Sequence, residues 1–324
     1  MCASRRRSAA PSLARHLSGT IAWGDESYGF GTRFREKDLE DVFRAAVGGG
    51  VGWFDTAEVY GYKSGQFEQS AEHMLGHFVE NASTEARLLN GAGGGLPEAF
   101  VGSKVFTVPW TNVIMGGGVR MGRTQLVDAG KATVERLGRP LDLWSIHFPF
   151  PTYSQSMYVD ALVEAMDLGL TKAVGVSNYD AGQMEEAQEL LFQRGIALAA
   201  NQVKYSVLDR KAQRSGLLLK CADLGVKLVA YCPLESGKLT GTDNEGDKKI
   251  AELRKLLEFI GAINGGKTPT QVAINYLVCR GALPIVGCAS VAHVDAAAGA
   301  VADGWRLDNN ELDTIDEKLD YLQL

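Results

Sequence analysis

The chain has 324 residues, 45% of them hydrophobic and 22% charged, with a formal net charge of −6. That length supports one large core or two modest ones, and single α/β barrels commonly reach it. No apolar run reaches the roughly 18 residues that span a bilayer, and an acidic chain without a lysine- or arginine-rich stripe is a poor nucleic-acid binder, so neither a membrane nor a nucleic acid is expected as a partner.

The opening MCASRRRSAAPSLARHLSG carries Arg5, Arg6, Arg7 and Arg15 and no acid. Its Arg, Ser and Ala content without an apolar signal core resembles an organellar transit segment, for chloroplast or mitochondrion, more than a secretory signal. A disordered start of a cytoplasmic protein is the other reading. Residues 1–18 are therefore set apart from a single domain over 19–324. The cysteines Cys2, Cys221, Cys232, Cys279 and Cys288 form neither a C-x-x-C pair nor a Cys/His cluster, which points to reduced thiols and against a zinc site.

Along the chain, short apolar runs alternate with amphipathic stretches. GTIAWG (19–24) reads as a first strand and 37–47 as a helix. GWFDT (52–56) is followed by a helix over 67–80, AFVGSKV (99–105) by one over 121–137, and LDLWSIHF (141–148) by one over 157–168. TKAVGVSN (171–178) precedes a helix over 181–194, and LAANQVKYS (198–206) one over 212–224. VKLVAYCPL (226–234) precedes helices over 247–263 and 268–279. LPIVGCAS (283–290) precedes a helix over 291–302, and a terminal helix fills 309–322. Strands that each need a crossover helix form a parallel sheet. Eight such units predict a single-domain (β/α)8 TIM barrel. A doubly wound open sheet is the competing arrangement, but no composition shift divides the chain. The G-x-G-x-x-G dinucleotide fingerprint is absent, since Met121 stands where 116–122 would need its last glycine.

On a parallel barrel, chemistry gathers at the C-terminal strand ends. There the sequence delivers Asp55 with Tyr60 in the next loop, Ser103-Lys104, His147, Ser177-Asn178, Asn201-Gln202 and Tyr231-Cys232-Pro233. Singly, each has an ordinary structural reading: a cap, a packed ring, a lysine reaching solvent, a hydrogen-bonded core histidine. Together, Asp55, Tyr60, Lys104 and His147 leave consecutive βα units on one face and can converge. A phenol near pKa 10 is a weak acid at neutral pH. An adjacent ammonium lowers that value, and a carboxylate can hold the ammonium in place. Such a group can protonate a carbonyl oxygen while hydride reaches the carbon. Side chains do not donate hydride, so a nicotinamide is implied.

FDTAEVYG (54–61), GSK (102–104), IHFP (146–149), AVGVSNY (173–179), NQVKYS (201–206), AYCPL (230–234) with LTG (239–241), and TPTQVAINYLV (268–278) follow one another in an order that resembles the aldo-keto reductases, in particular their plant and algal plastid-type members. The likeness covers residues 19–315. It implies a monomeric barrel that reduces an aldehyde or ketone to an alcohol with NADP(H). It assigns the catalytic roles to Asp55, Tyr60, Lys104 and His147, with Tyr60 as general acid tuned by Lys104 and Asp55, and His147 orienting the carbonyl. Ser177, Asn178 and Gln202 would hold the nicotinamide carboxamide and Tyr231 would stack on its ring. Leu234, Ser236 and Gly237 would line the pyrophosphate, Ser290 and His293 the adenosine end, and Trp23 and Trp110 the substrate pocket.

The sequence departs from the family after the eighth strand. VGCASVAHVDAAAGA (286–300) places Ala289 where the family has a basic residue, His293 for glutamine, and Ala296 and Ala297 for a Glu and an Asn. A charge-assisted contact to the 2′-phosphate is worth about 1.5–3 kcal/mol, so its loss opens the way to NAD(H). Cys232 replaces a common serine, Lys204 a neutral or acidic residue, and residues 1–18 do not read as the hairpin that usually floors the barrel. The eroded adenosine end favours an alternative, a nucleotide-sensing regulatory subunit with little turnover.

Overall fold

The computed structural model describes residues 17–61, 69–89, 99–107, 120, 122–151, 153–239 and 247–324. Trp110 lies outside them, as do 62–68, 108–119 and 240–246.

Eight parallel strands close into a barrel in sequence order: β1 Leu17–Gly19, β2 Trp53–Asp55, β3 Phe100–Val105, β4 Leu143–Ile146, β5 Val174–Ser177, β6 Leu198–Lys204, β7 Lys227–Tyr231 and β8 Leu283–Gly287. β1 pairs with β8 through Leu17 and Ile285, which completes the ring. The open-sheet alternative is thereby excluded. The helices are α1 Glu36–Gly48, α2 Ala71–Leu89, α3 Arg123–Leu137, α4 Gln155–Asp167, α5 Ala181–Phe192, α6 Lys211–Arg214, α7 Leu217–Leu224, α8 Lys248–Ile263, α9 Pro269–Cys279, α10 Val291–Gly299 and α11 Asn309–Leu322.

Three boundaries differ from the sequence reading. The first strand is Leu17–Gly19 rather than 19–24, so Leu17 and Ser18 belong to the barrel and not to the leading segment. Residues 20–24 instead turn away, with Trp23 N donating to Thr20 O at 2.8 Å. The helix expected over 212–224 breaks at Gly216, whose φ of +77° is the left-handed region that glycine enters without strain. α2 runs on to Leu89, nine residues past its expected end.

Residues alternate along each strand between two cores. Outward, Phe54 stacks on Phe43 of α1 at 4.8 Å between centroids, and the fully buried Trp23 lies 5.6 Å from Phe78 of α2. Inward, Trp53, Ala200, Val229, Leu283 and Ile285 form a core of their own, joined by Phe100, Leu143 and Tyr231. Trp53 opens β2 and stacks on its register partner Phe100 with centroids 5.9 Å apart and planes 10° from parallel. This pair fills the N-terminal end of the barrel interior, the end for which the sequence offered no hairpin. Every pairing among the described strands is parallel. Mid-barrel space is tight: a Cβ on Gly175 would come within 2.5 Å of Ser145 Oγ.

Helix starts follow the sequence. Asp180 with Gln183, Thr268 with Gln271, and Asp308 with Glu311 each form reciprocal capping boxes on α5, α9 and α11. α11 is tied to the β6 side by Arg210, which is buried and pairs with Asp316 and Asp320. Among the described residues no helix is long and apolar enough to cross a membrane.

Candidate active site

β2 ends at Asp55, and that carboxylate organises the upper barrel. Its Oδ2 accepts from Lys104 Nζ of β3 at 2.7 Å, and its Oδ1 accepts from Gln202 Nε2 of β6 at 2.7 Å. Lys104 is 1% exposed, so its charge requires a partner: an unpaired buried cation would be costly. Thr56 O supplies a second acceptor at 2.7 Å.

Tyr60 reaches the same place from the loop. Its amide donates to Ala57 O, and its carbonyl accepts from Ala71 N at the start of α2, both at 3.0 Å. Gly61 follows with φ +64°, and a Cβ there would meet Trp23 O at 2.2 Å, so only glycine lets the chain turn directly after the tyrosine. Lys104 Nζ sits 5.0 Å from the Tyr60 ring centroid. The His147 ring, at the end of β4, meets it edge-on at 6.0 Å and 80°. The four expected side chains therefore converge.

Their electrostatics differ from expectation in one respect. The Tyr60 phenol was expected to be made more acidic by Lys104. Burial, reinforced by the Asp55 carboxylate, instead holds its pKa well above the usual tyrosine value. Burial also lowers the pKa of Lys104, against the pull of Asp55, and its ammonium is hydrogen-bonded to that carboxylate. His147 is pushed down to about 3 by burial and by the nearby Lys104 charge, which makes it a neutral imidazole at any ordinary pH. Its Nδ1 is buried and takes no partner among the described residues.

A second chain of contacts runs along the tips of β5, β6 and β7. Ser177 Oγ donates to Gln202 O at 2.8 Å. Asn178, at φ +62°, donates from Nδ2 to His147 O at 3.0 Å and to Ser177 Oγ at 3.1 Å, and its Oδ1 accepts from Tyr231 OH at 3.0 Å. After Tyr231 the backbone takes positive φ at Cys232, Glu235, Ser236 and Gly237. Non-glycine residues in that region cost of the order of 1–3 kcal/mol each and cluster at functional sites. Lys204, the unexpected base, pairs with Glu235 at 3.1 Å and Asp209 at 3.3 Å, and Ser206 Oγ donates to Glu235 at 3.0 Å. Glu235 of this loop lines a cleft of about 720 Å³ whose walls carry Lys204, Lys211, Arg214 and Lys238 together with Asp209 and Asp247.

At the far end Ser290 caps α10, its Oγ accepting from His293 N at 3.4 Å, while His293 Nδ1 accepts from Ala289 N at 3.3 Å. The imidazole folds back over the start of its own helix and is exposed. One expected site residue is relocated: Trp23 is fully buried and donates Nε1 to Cys288 O at 3.1 Å, so it belongs to the strand–helix core and does not wall the pocket. Phe106 and Phe148 lie beside the His147 ring, 5.5 Å and 4.8 Å from it. The sequence reading also passed over Glu58 and Arg120, a buried ion pair beside Tyr60. In the structure Glu58 ends the buried run 53–58; Arg120 carried no sequence signal.

Side-chain amides and a hydroxyl next to an aromatic ring suit a nicotinamide. The Aldo/keto reductase family model matches residues 17–320. The chain is 32% identical over 311 residues to the chloroplastic pyridoxal reductase of Arabidopsis thaliana, covering 90% of this chain and 80% of that protein. It is 27% identical over 294 residues to the 6-dehydroglucose reductase of Novosphingobium aromaticivorans, covering 88% and 87%. A thermostable aldo-keto reductase crystallised with the inhibitor epalrestat superposes with a TM-score of 0.73 at 24% identity, over 96% of this chain and 98% of that one. An aldo/keto reductase from Klebsiella pneumoniae in complex with NADP and acetate superposes with a TM-score of 0.67 at 22% identity, over 94% and 90%. The chain belongs to the aldo/keto reductase family and is an NAD(P)H-dependent oxidoreductase.

Proposed function

We propose that this protein reduces a small, preferably aromatic, aldehyde to its alcohol with Tyr60 as the proton donor. The observation that carries the reading is the buried Asp55–Lys104 pair beneath the Tyr60 ring, with neutral His147 across from it. When bound, the reduced nicotinamide supplies hydride to the carbonyl carbon. His147, uncharged, offers the carbonyl oxygen a hydrogen bond and sets its position. Tyr60 gives its phenolic proton to that oxygen, and the Lys104 ammonium faces the phenolate left behind. The raised phenol pKa keeps the proton on Tyr60 at working pH, the state that reduction needs. Asp55 keeps Lys104 charged against the cost of burial, and Gln202 holds Asp55 from the other side.

Ser177, Asn178 and Gln202 are assigned to the carboxamide, Tyr231 to the ring, Leu234, Ser236 and Gly237 to the pyrophosphate, and Ser290 with His293 to the adenosine end. NADP(H) is the cofactor favoured by the solved relatives, crystallised with NADP or NADPH. Ala289, without a charge for the 2′-phosphate, leaves NAD(H) usable. Phe106, Phe148 and the His147 ring make the mouth aromatic, which supports a flat substrate such as the pyridoxal of the Arabidopsis relative. That relative's chloroplast address supports reading residues 1–16 as a plastid leader.

The test follows nicotinamide absorbance with NADPH or NADH and 4-nitrobenzaldehyde or pyridoxal, for the parent protein and Tyr60→Phe side by side. Turnover by the parent and its loss in Tyr60→Phe are expected. Equal rates in the two would end the proton-donor assignment.

A further inference from the structure

We infer that Glu58 and Arg120 are positioning residues that hold the Tyr60 loop, the end of β3 and the His147 segment in one arrangement; this rests on the reading of Tyr60 as proton donor. Glu58 lies midway between Asp55 and Tyr60. Its amide donates to Lys104 O at 3.2 Å, tying the loop to β3 at the lysine itself. Its carboxylate accepts from Phe106 N and from Arg120 Nη1, and from Arg120 Nη2 at 2.8 Å. Arg120 Nη1 also donates to Phe106 O at 2.6 Å. The pair therefore grips Phe106 by both its backbone groups.

Phe106 in turn sets its ring edge-on to His147 at 5.5 Å. Arg120 O accepts from the hydroxyl of Tyr153, which follows β4, and Thr107 Oγ1 donates to Phe148 O at 2.6 Å. One ion pair is thus linked to the segments that carry Tyr60, Lys104 and His147. Both partners are 6% exposed. Two charges taken out of water gain little net stability over apolar residues of the same volume, so their stabilising value alone is a weak reason for them. A forked guanidinium–carboxylate contact does fix geometry, because its paired hydrogen bonds allow one orientation. Neither side chain is assigned contact with substrate, so the effect is on the placement of Tyr60 relative to Lys104 and His147. A displacement of the order of 1 Å in such a site costs about 100-fold in rate.

The experiment compares Glu58→Gln, which keeps size and removes charge, with Arg120→Lys, which keeps charge and removes the fork. It measures kcat with 4-nitrobenzaldehyde and NADPH, and NADPH Kd by protein fluorescence. Each substitution is also made on a Tyr60→Phe background. The expected result is kcat lowered about 10- to 100-fold in both variants, NADPH Kd unchanged, and no further loss on the Tyr60→Phe background. Arg120→Lys leaves a cation opposite Glu58, so it remains informative if Glu58→Gln does not fold; turnover at the parent rate in Arg120→Lys overturns the inference. So does NADPH binding that weakens in step with kcat, or an additive loss on Tyr60→Phe. A parent protein that turns over and is silenced by Tyr60→Phe, with Arg120→Lys unaffected, removes this inference alone. A parent that does not turn over removes the proposed function and this inference with it.

Discussion

At the Tyr60 end of the site, Asp55, Lys104 and Gln202 are buried and joined by hydrogen bonds of 2.7 Å, whereas at the Ala289 end His293 is exposed and makes contacts of 3.3 Å and 3.4 Å on the start of α10. The first region is over-determined: moving any one of those groups strands a charge or a buried amide. The second is one helix cap with a histidine folded onto it, and a change there is cheap. The proposed proton donor needs the first kind of construction. The proposed cofactor-preference region, by contrast, can be altered without disturbing the fold.

This contrast can be broken or sharpened by substitution. The largest effect is expected for Tyr60→Phe, which should lower kcat about 100- to 10,000-fold while NADPH binding, followed by protein fluorescence, persists. Next comes Asp55→Asn. Leaving Lys104 buried without its carboxylate should cost about 3–5 kcal/mol of stability, read from denaturant unfolding; a change within error would mean the pair is not the keystone described here. At the other end, Ala289→Arg should tighten NADPH by about 1.5–3 kcal/mol, the value of a hydrogen bond to a charged group, and leave NADH nearly unchanged, with no loss of folding stability. An unchanged NADPH affinity would show that position 289 does not face the 2′-phosphate.

The contrast also has a pH dependence. His147 is held down to about 3 from an ordinary 6.5. The unfolded chain therefore binds more protons than the folded one between those values, and the stability contributed by neutral His147 is fully present above pH 6.5 and lost as pH falls towards 3. His147→Gln should flatten that part of the stability profile relative to the parent. For the same reason the reductive rate should show no histidine inflection near pH 6.5, and one that vanishes in His147→Gln would contradict a neutral imidazole.

Most of the proposed reaction centre was legible because three of its four groups end apolar runs. Asp55, Lys104 and His147 stand at strand tips, and a parallel barrel has one face for such tips. Trp23 departs from the expectation because a tryptophan in a loop after β1 gives no sign of which way it folds, and its ring packs outward onto Phe78 and Phe54 in the strand–helix core. The partnership of Glu58 with Arg120, 62 residues apart, could not be read, since no spacing rule links an acid in one βα loop to a base before the next helix. The direction of the Tyr60 shift was missed for a related reason: sequence shows which charges are near, not how deeply the phenol is buried.

The sequence by itself determined the alternation of eight strands and their helices, the capping boxes that start α5, α9 and α11, and the residue types at the strand tips, because these depend on local periodicity and on backbone groups within a few positions. Only the tertiary structure decided which tips meet, that Trp53 and Phe100 fill the N-terminal end of the barrel interior, that Lys104 is wholly buried on Asp55, and that burial raises the Tyr60 pKa. Those outcomes depend on distances between residues far apart in the chain and on the exclusion of water, and neither is set until the barrel closes.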